Sequence, residues 1–173
     1  MKFKLDEAQE VLAQTPAVMN ALLRGKSDVW LNCRKTSESF SPLDVVGHLI
    51  HADKTNWIPR TQQILNGRGA TAFEPFDRFD FQTLLAGKTV EMSLDAFAEA
   101  RRESLEELRV FGIGEKELGL QGTHPEFGSI TLSNLIATWV VHDLGHIAQV
   151  VKTMASAYGE AVGPWSAYLN ILK

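Results

Sequence analysis

The sequence predicts an all-α protein, a four-helix bundle with one long crossover connection and a short C-terminal helix. Four long segments carry apolar residues at helical spacings, and glycine, proline and serine mark most of their ends. An irregular stretch, residues 67–92, is long enough to cross the bundle between two of these helices. The 173 residues fit one domain, 1–173, because two halves would each be too small to bury a good core.

The first predicted helix runs from about Leu5 to Arg24 and ends near Gly25. Its leucines and valines recur at spacings that place them on one face. Pro16 lies inside the segment, and an interior proline removes a helical hydrogen bond. We therefore expect a kink or a break at this position.

The second predicted helix begins at the run Ser41-Pro42-Leu43-Asp44, which offers a capping serine, a proline in the first turn and an acid shortly after. It should continue to about Asn66 and stop at Gly67. Pro59 predicts a second kink, for the same reason as the proline in the first helix.

Residues 67–92 form the least regular part of the chain. We expect a long connection with a short helix around residues 80–86. Loops of this length are usually functional or mobile. The alternative is that four phenylalanines fix the segment onto the bundle: Phe73, Phe76, Phe79 and Phe81.

The third predicted helix, from Ser93 to about Arg109, is strongly amphipathic. A second loop is expected over residues 119–130. The fourth helix, from about Thr131 to Tyr158, is the most apolar of the four, and a short helix should follow Gly163-Pro164.

Composition excludes several classes of protein. The net charge is −4 and no Lys/Arg-rich run occurs, so the sequence does not indicate a nucleic-acid partner. No apolar run is long enough to span a bilayer, and the first ten residues do not resemble a signal peptide, so a cytoplasmic location is expected by default. The single cysteine, Cys33, rules out an intramolecular disulfide and a cysteine-based zinc framework.

The pair His142 and His146 lies inside the fourth helix, four residues apart, which places both imidazoles on one face within reach of one ion. A helical wheel puts both at the margin of the apolar arc, whereas a solvated pair would lie with Asn134 and Lys152. That position suits an open metal site. The alternative is two core histidines bonded to backbone or water.

Asp143 falls inside the apolar arc and needs a partner, because burying an unpaired carboxylate is costly. We expect a tie to another helix or support for a ligand. The run His-Asp-Leu-Gly-His resembles a zinc-protease motif, but it has aspartate where that motif has its glutamate base. We therefore reject a protease.

A third ligand should come from the second helix, where His48 and His51 share a face. That helix is apolar on two sides, so the spacing leaves the two histidines nearly equal. Three neutral imidazoles with an open position would form a catalytic-type site for one divalent ion such as zinc, nickel or another first-row transition metal.

Three segments together resemble the DinB-like (damage-inducible, YfiT-like) superfamily. They are residues 124–132 (HPEFGSITL), 139–149 (WVVHDLGHIAQ) and 163–169 (GPWSAYL), and residues 41–49 (SPLDVVGHL) match the family's first-histidine segment. The resemblance is good over 41–58 and 124–169 and weak over 67–120. It implies an up-down-down-up bundle.

The resemblance also implies a metal held by His48, His142 and His146, and so favours His48 over His51. Many members have a His-His pair where this chain has Gly145-His146. The missing histidine is not a ligand, but a donor that supports the ligands is lost, and His51 could replace it.

Relatives in this superfamily include transferases and isomerases that use a low-molecular-weight thiol such as bacillithiol or mycothiol, and others described as metal-dependent hydrolases. The leading hypothesis is a metal-dependent thiol S-transferase acting on a small-molecule electrophile. The alternatives are a metal-dependent hydrolase and a non-catalytic, metal-binding stress-response module. Asp53, Gln149 and Asp143 are weak candidates for a catalytic base, and family members are often homodimers.

Overall fold

The computed structural model describes residues 2–173 and contains four long helical segments. They are α1 (Leu5–Leu23), a segment from Pro42 to Leu65, α6 (Val90–Val110) and α8 (Leu132–Ser156). All four lie within a few residues of the predicted helices, and the four-helix bundle is confirmed. Among residues 2–173, no helix is both long enough and apolar enough to cross a membrane.

The helix α1 is continuous from Leu5 to Leu23 with Pro16 inside it, so the break considered from the sequence does not occur. Proline has no backbone N–H, so the carbonyl of Leu12, one turn earlier, loses its usual helical partner. The side chain of Arg101 donates to that carbonyl at 2.8 Å. The hydrogen bond lost at the proline is therefore replaced from another helix.

The second long segment consists of α3 (Pro42–Ala52), a π-helical turn (Asp53–Trp57) and α4 (Ile58–Leu65). Ser41 and Asp44 form a reciprocal capping box that begins α3. The irregularity expected from Pro59 takes the form of the π-helical turn, which directly precedes α4. Such π-helical turns are rare, usually occur as single turns inside α-helices, and are frequent at functional sites.

The direction of each helix follows from two layers of the core. One layer contains a residue from each segment: Ala8, Ile64, Leu108 and Ile136. The other layer does the same: Met19, Val46, Leu94 and Val150. Along the chain, α1 and α8 pass from the first layer to the second, whereas α3–α4 and α6 pass from the second to the first. The bundle is therefore up-down-down-up.

Two consecutive parallel helices require a crossover, because α4 ends at the opposite end of the bundle from the start of α6. Residues 66–89 make this connection and include the short α5 (Gln82–Leu85), as expected. Phe73 and Phe81 are each 2% exposed. The backbone N–H of Phe73 also donates to the carbonyl of Thr123 at 2.9 Å. The crossover is thus fixed onto the bundle.

The prediction of an irregular loop over 119–130 is wrong, because this region folds into a hairpin. Strands β1 (Gln121–His124) and β2 (Gly128–Thr131) pair antiparallel, with His124 opposite Gly128. Gly128, the first residue of β2, has φ +71°, a left-handed backbone conformation that glycine adopts readily. The strands are too short for an alternating pattern to stand out in the sequence.

Short elements complete the chain. The helices α2 (Asp28–Asn32) and α7 (Glu115–Leu118) were not predicted. The predicted short C-terminal helix is present as a 3₁₀ helix over Gly163–Tyr168, and a further 3₁₀ turn covers Asn170–Leu172.

Candidate metal centre

The three histidines of the predicted triad meet where α3 faces α8. His142 and His146 lie one turn apart on α8, and His48 of α3 points towards them. Nε2 of His48 and Nε2 of His146 each lie 3.1 Å from Nε2 of His142. One nitrogen from each ring lies within 4.8 Å of the others.

The outer nitrogens of two rings have acceptors that define their tautomers. Nδ1 of His48 lies 3.2 Å from the carbonyl oxygen of Arg78, and Nδ1 of His146 lies 2.9 Å from Oε1 of Gln149. Oxygens of these types only accept, so both Nδ1 atoms carry the hydrogen and donate. In the neutral rings, both Nε2 atoms then present bare lone pairs.

Burial and mutual repulsion keep these imidazoles neutral. Burial, followed by the neighbouring rings of His146 and His142, lowers the pKa of His48 to about 3. Burial, followed by His142, lowers the pKa of His146 to about 4. Both are therefore neutral at pH 7, which is the form that binds metal ions.

The three nitrogens could hold one metal ion, and hydrogen bonds alone do not satisfy them all. A hydrogen on Nε2 of His142 can be shared between the two facing lone pairs but cannot satisfy both well. Two ligand nitrogens at about 2.0–2.1 Å from a tetrahedral ion lie roughly 3.3–3.4 Å apart. The observed spacing of 3.1 Å is close to that value.

Two clefts open onto the trio. The polar cleft, about 460 Å³, is reached by all three histidines and has these further lining residues: Glu38, Ser39, Arg78 and Gln149. The aromatic cleft, about 450 Å³, reaches only His142 of the three and is lined chiefly by aromatic and polar residues: Asn56, Trp57, Arg60, Phe73, Phe76 and Phe127. Phe76 also borders the polar cleft, and so it separates the two.

His51, the other candidate on α3, lies outside the trio. Its ring stacks on Phe76 with centroids 5.0 Å apart and an interplanar angle of 26°. Thr55 Oγ1 donates to its backbone carbonyl at 2.8 Å and lies 3.4 Å from its Nε2. His51 therefore supports the wall between the clefts and does not contact His146.

A fully buried ionic cluster lies beside the trio. The Arg101 guanidinium donates to both oxygens of Asp53 at 2.8 and 3.0 Å and to Asp143 at 2.6 Å. With the bond to the Leu12 carbonyl, this one side chain joins α1, the π-helical turn, α6 and α8. The expected tie from Asp143 to another helix is confirmed.

The two acidic candidates for a catalytic base are therefore engaged in buried ion pairs that join helices. Asp53 and Asp143 are 1% and 0% exposed. Burial raises the pKa of Asp53 to about 6. Burial acts in the same direction on Asp143, but His142 and Arg101 outweigh it and hold the pKa of that carboxyl below its usual range. The third candidate, Gln149, orients His146.

Sequence reasoning missed Arg101, Phe76 and Arg78. A signal for Arg101 was present, because it continues the apolar stripe of α6 at helical spacing from Leu94 and Phe97. A charged residue in such a stripe requires a buried partner. No local pattern marks Phe76 or the carbonyl of Arg78, since the path of the crossover brings them to the site.

Comparisons with known proteins agree with the resemblance inferred from the motifs. YfiT from Bacillus subtilis is described as a probable metal-dependent hydrolase with an unusual four-helix bundle topology. It matches with a TM-score of 0.71 and 20% identity, over 93% of this chain and 91% of YfiT. A comparison with curated proteins found no match. The sequence profile of the DinB superfamily matches residues 12–150, and the chain therefore belongs to that superfamily.

Proposed function

We propose that this protein is a metal-dependent enzyme that holds one divalent ion through His48, His142 and His146 and transfers a thiol to a small electrophile. The observation that carries the proposal is the convergence of three Nε2 atoms at 3.1 Å contacts, with two lone pairs oriented by Arg78 and Gln149. Neutral nitrogen donors of this kind suit zinc, nickel and similar ions.

A bound ion would lower the pKa of a thiol and supply a thiolate at neutral pH. The chain's own residues have other tasks in this proposal. The carbonyl of Arg78 and the amide of Gln149 orient two ligands, and Phe76 divides the surroundings into two compartments. Two clefts that meet at one centre suit a reaction between two substrates.

A metal-dependent hydrolase is the second candidate. YfiT, which shares the fold, is described as a probable hydrolase. Glu38 is exposed and lines the polar cleft, where its carboxylate could accept a proton from an attacking water. A purely structural metal module is less well supported, because structural sites are usually closed by four protein ligands.

Metal content tests the first step. Protein made without a histidine tag should contain about one ion per chain after loading with zinc or nickel. His142→Ala should lose this ion, whereas His124→Ala, which changes a histidine in the hairpin, should retain it. Less than about 0.2 ion per wild-type chain, unaltered by added metal, would contradict the proposal.

Turnover separates the two enzymatic candidates. The zinc-loaded protein should accelerate the reaction of a low-molecular-weight thiol with monochlorobimane, and His142→Ala should not. Hydrolysis of a p-nitrophenyl ester without any thiol reaction would favour the hydrolase. Glu38→Gln would then reduce that hydrolysis while leaving the metal content unchanged.

A further inference from the structure

We propose that the aromatic cleft binds the second substrate, and that this substrate is a small molecule with a flat apolar body and a carboxylate. Arg60 would take the carboxylate, and the aromatic walls would take the body. The inference rests on the proposed function in one respect, since it assumes that the ligand reacts at the trio. The binding itself requires only the cleft.

The first support is the state of Arg60. Its guanidinium is half-buried and lies 5.0 Å above the ring of Phe73. Its Nη2 donates one hydrogen bond to the backbone carbonyl of Glu74 at 2.9 Å. Within residues 2–173, no carboxylate lies within 4.0 Å of this side chain, although the exposed Glu126 stands at the same cleft. The guanidinium of Arg60 therefore has several N–H donors left for a ligand, and its planar geometry suits a carboxylate.

The second support is a pair of buried polar atoms on the same wall. Asn56 is 6% exposed, and its Oδ1 has no hydrogen-bond partner within the described chain. The same holds for Nε1 of Trp57, the next residue. Leaving such atoms unpaired is costly, so buried polar groups are normally satisfied. A ligand acceptor such as a carboxylate would pair with the Trp57 N–H, whereas the Asn56 oxygen requires a donor on the ligand.

The third support is the size of the aromatic cleft and its position beside the histidine trio. A volume of about 450 Å³ lies within the range of small-molecule sites. His142 forms part of the wall, so a ligand in this cleft lies against one histidine of the trio, and the polar cleft remains for another ligand. The other arginine near the centre, Arg78, is exposed and stacks on Phe79 at 4.7 Å. Water therefore competes more strongly for an anion at Arg78.

The test is a titration of chelator-treated protein, which removes the ion as a competing carboxylate receptor. The probes are 3-phenylpropanoate and 3-phenylpropanamide, which differ only in the charge and hydrogen bonding of one end. Binding is followed by the ¹H–¹⁵N resonance of the Trp57 indole, assigned with Trp57→Phe. The wild-type protein should bind the carboxylate about tenfold more tightly than the amide.

The matched variants are Arg60→Gln and Arg68→Gln, of which the second removes an exposed arginine just beyond α4. Arg60→Gln should abolish the preference for the carboxylate, and Arg68→Gln should keep it. Equal binding of the two probes to the wild type, or no binding of either, would overturn the inference without any variant. An unchanged preference in Arg60→Gln would also overturn it.

The two proposals fail separately. A chain that binds no metal but prefers the carboxylate through Arg60 retains this cleft site and loses the proposed chemistry. A chain that binds one ion and transfers thiols, but shows no probe preference, retains the function and loses the inference.

Discussion

Two polar regions lie side by side in this bundle and are built on opposite principles. The Arg101 cluster is fully buried, and each of its charged side chains meets an opposite charge at 2.6–3.0 Å. The histidine trio is partly open, and Nε2 of His142 lies 3.1 Å from Nε2 of each of the other two rings, with no opposite charge between them. The charged groups of the first region are paired within the chain, whereas the three nitrogens of the second region could together hold a metal ion.

The two regions are neighbours in the sequence, and the net charge of the first acts on the second. Asp143 follows His142, and its Oδ1 lies 3.7 Å from Nδ1 of that ring. Two carboxylates and one guanidinium leave one net negative charge beside the trio at pH 7. This negative charge would favour a cation at the trio. The buried cluster would therefore support metal binding at the neighbouring histidines.

The largest expected effect comes from breaking the closed region. Arg101→Met should lower the free energy of unfolding by about 3–5 kcal/mol, because two buried carboxylates lose their partner. Urea unfolding at pH 7 measures this. The control is Arg102→Met, which removes an exposed arginine paired with Glu99 and should leave the free energy of unfolding almost unchanged. Equal losses in both variants would contradict the cluster's role.

The next effect concerns the open region and its dependence on pH. His48 and His146 have pKa values lowered to about 3 and 4, whereas unfolded histidine titrates near 6.5. Between these values the unfolded chain binds the protons first, so the metal-free protein loses stability as pH falls below about 6.5. The two histidines together should cost about 2 kcal/mol at pH 5.5, allowing for their partial exposure.

Asp53 opposes this trend, because its pKa is raised to about 6 and the folded state takes up its proton first as pH falls. The wild type is therefore compared with a variant that lacks the two histidines but retains Asp53. Urea unfolding from pH 7 to 5 should show a steeper loss in the wild type than in the double variant His48→Gln/His146→Gln. Parallel curves would show that these histidines are not held neutral.

A smaller effect tests the link between the two regions. Asp143→Asn removes the negative charge beside His142 and should weaken zinc binding by about tenfold. Competition with a chromogenic chelator measures the affinity, and circular dichroism checks that the variant is folded. The control is Asp95→Asn, an exposed residue on α6. Unchanged affinity in Asp143→Asn would show that the regions are independent.

The smallest effect concerns the glycine beside the trio. A methyl group at Gly145 would meet nothing within 4 Å, so Gly145→Ala should stabilise α8 by about 0.5–1 kcal/mol and leave metal content unchanged. Gly47 on α3 is the matched opposite, since its methyl group would lie 2.8 Å from Leu85 and Phe81. Gly47→Ala should destabilise the protein in the same thermal unfolding measurement.

Much of the fold was predictable because the signals are local. Helical spacing, the capping box of Ser41 and Asp44, and the glycines at chain reversals are written within a few residues of each element. The spacing of His142 and His146 likewise placed both on one face of α8. These features alone predicted four helices and a pair of candidate ligands.

Other features depend on contacts between distant segments, and the sequence alone did not decide them. Spacing could not separate His48 from His51, because α3 is buried on nearly every side and only the position of α8 distinguishes its faces. The continuity of α1 at Pro16 depends on Arg101, which lies far along the chain. Local sequence determined which residues could serve, and packing decided which of them meet, since their energies depend on partners that only the folded chain brings within reach.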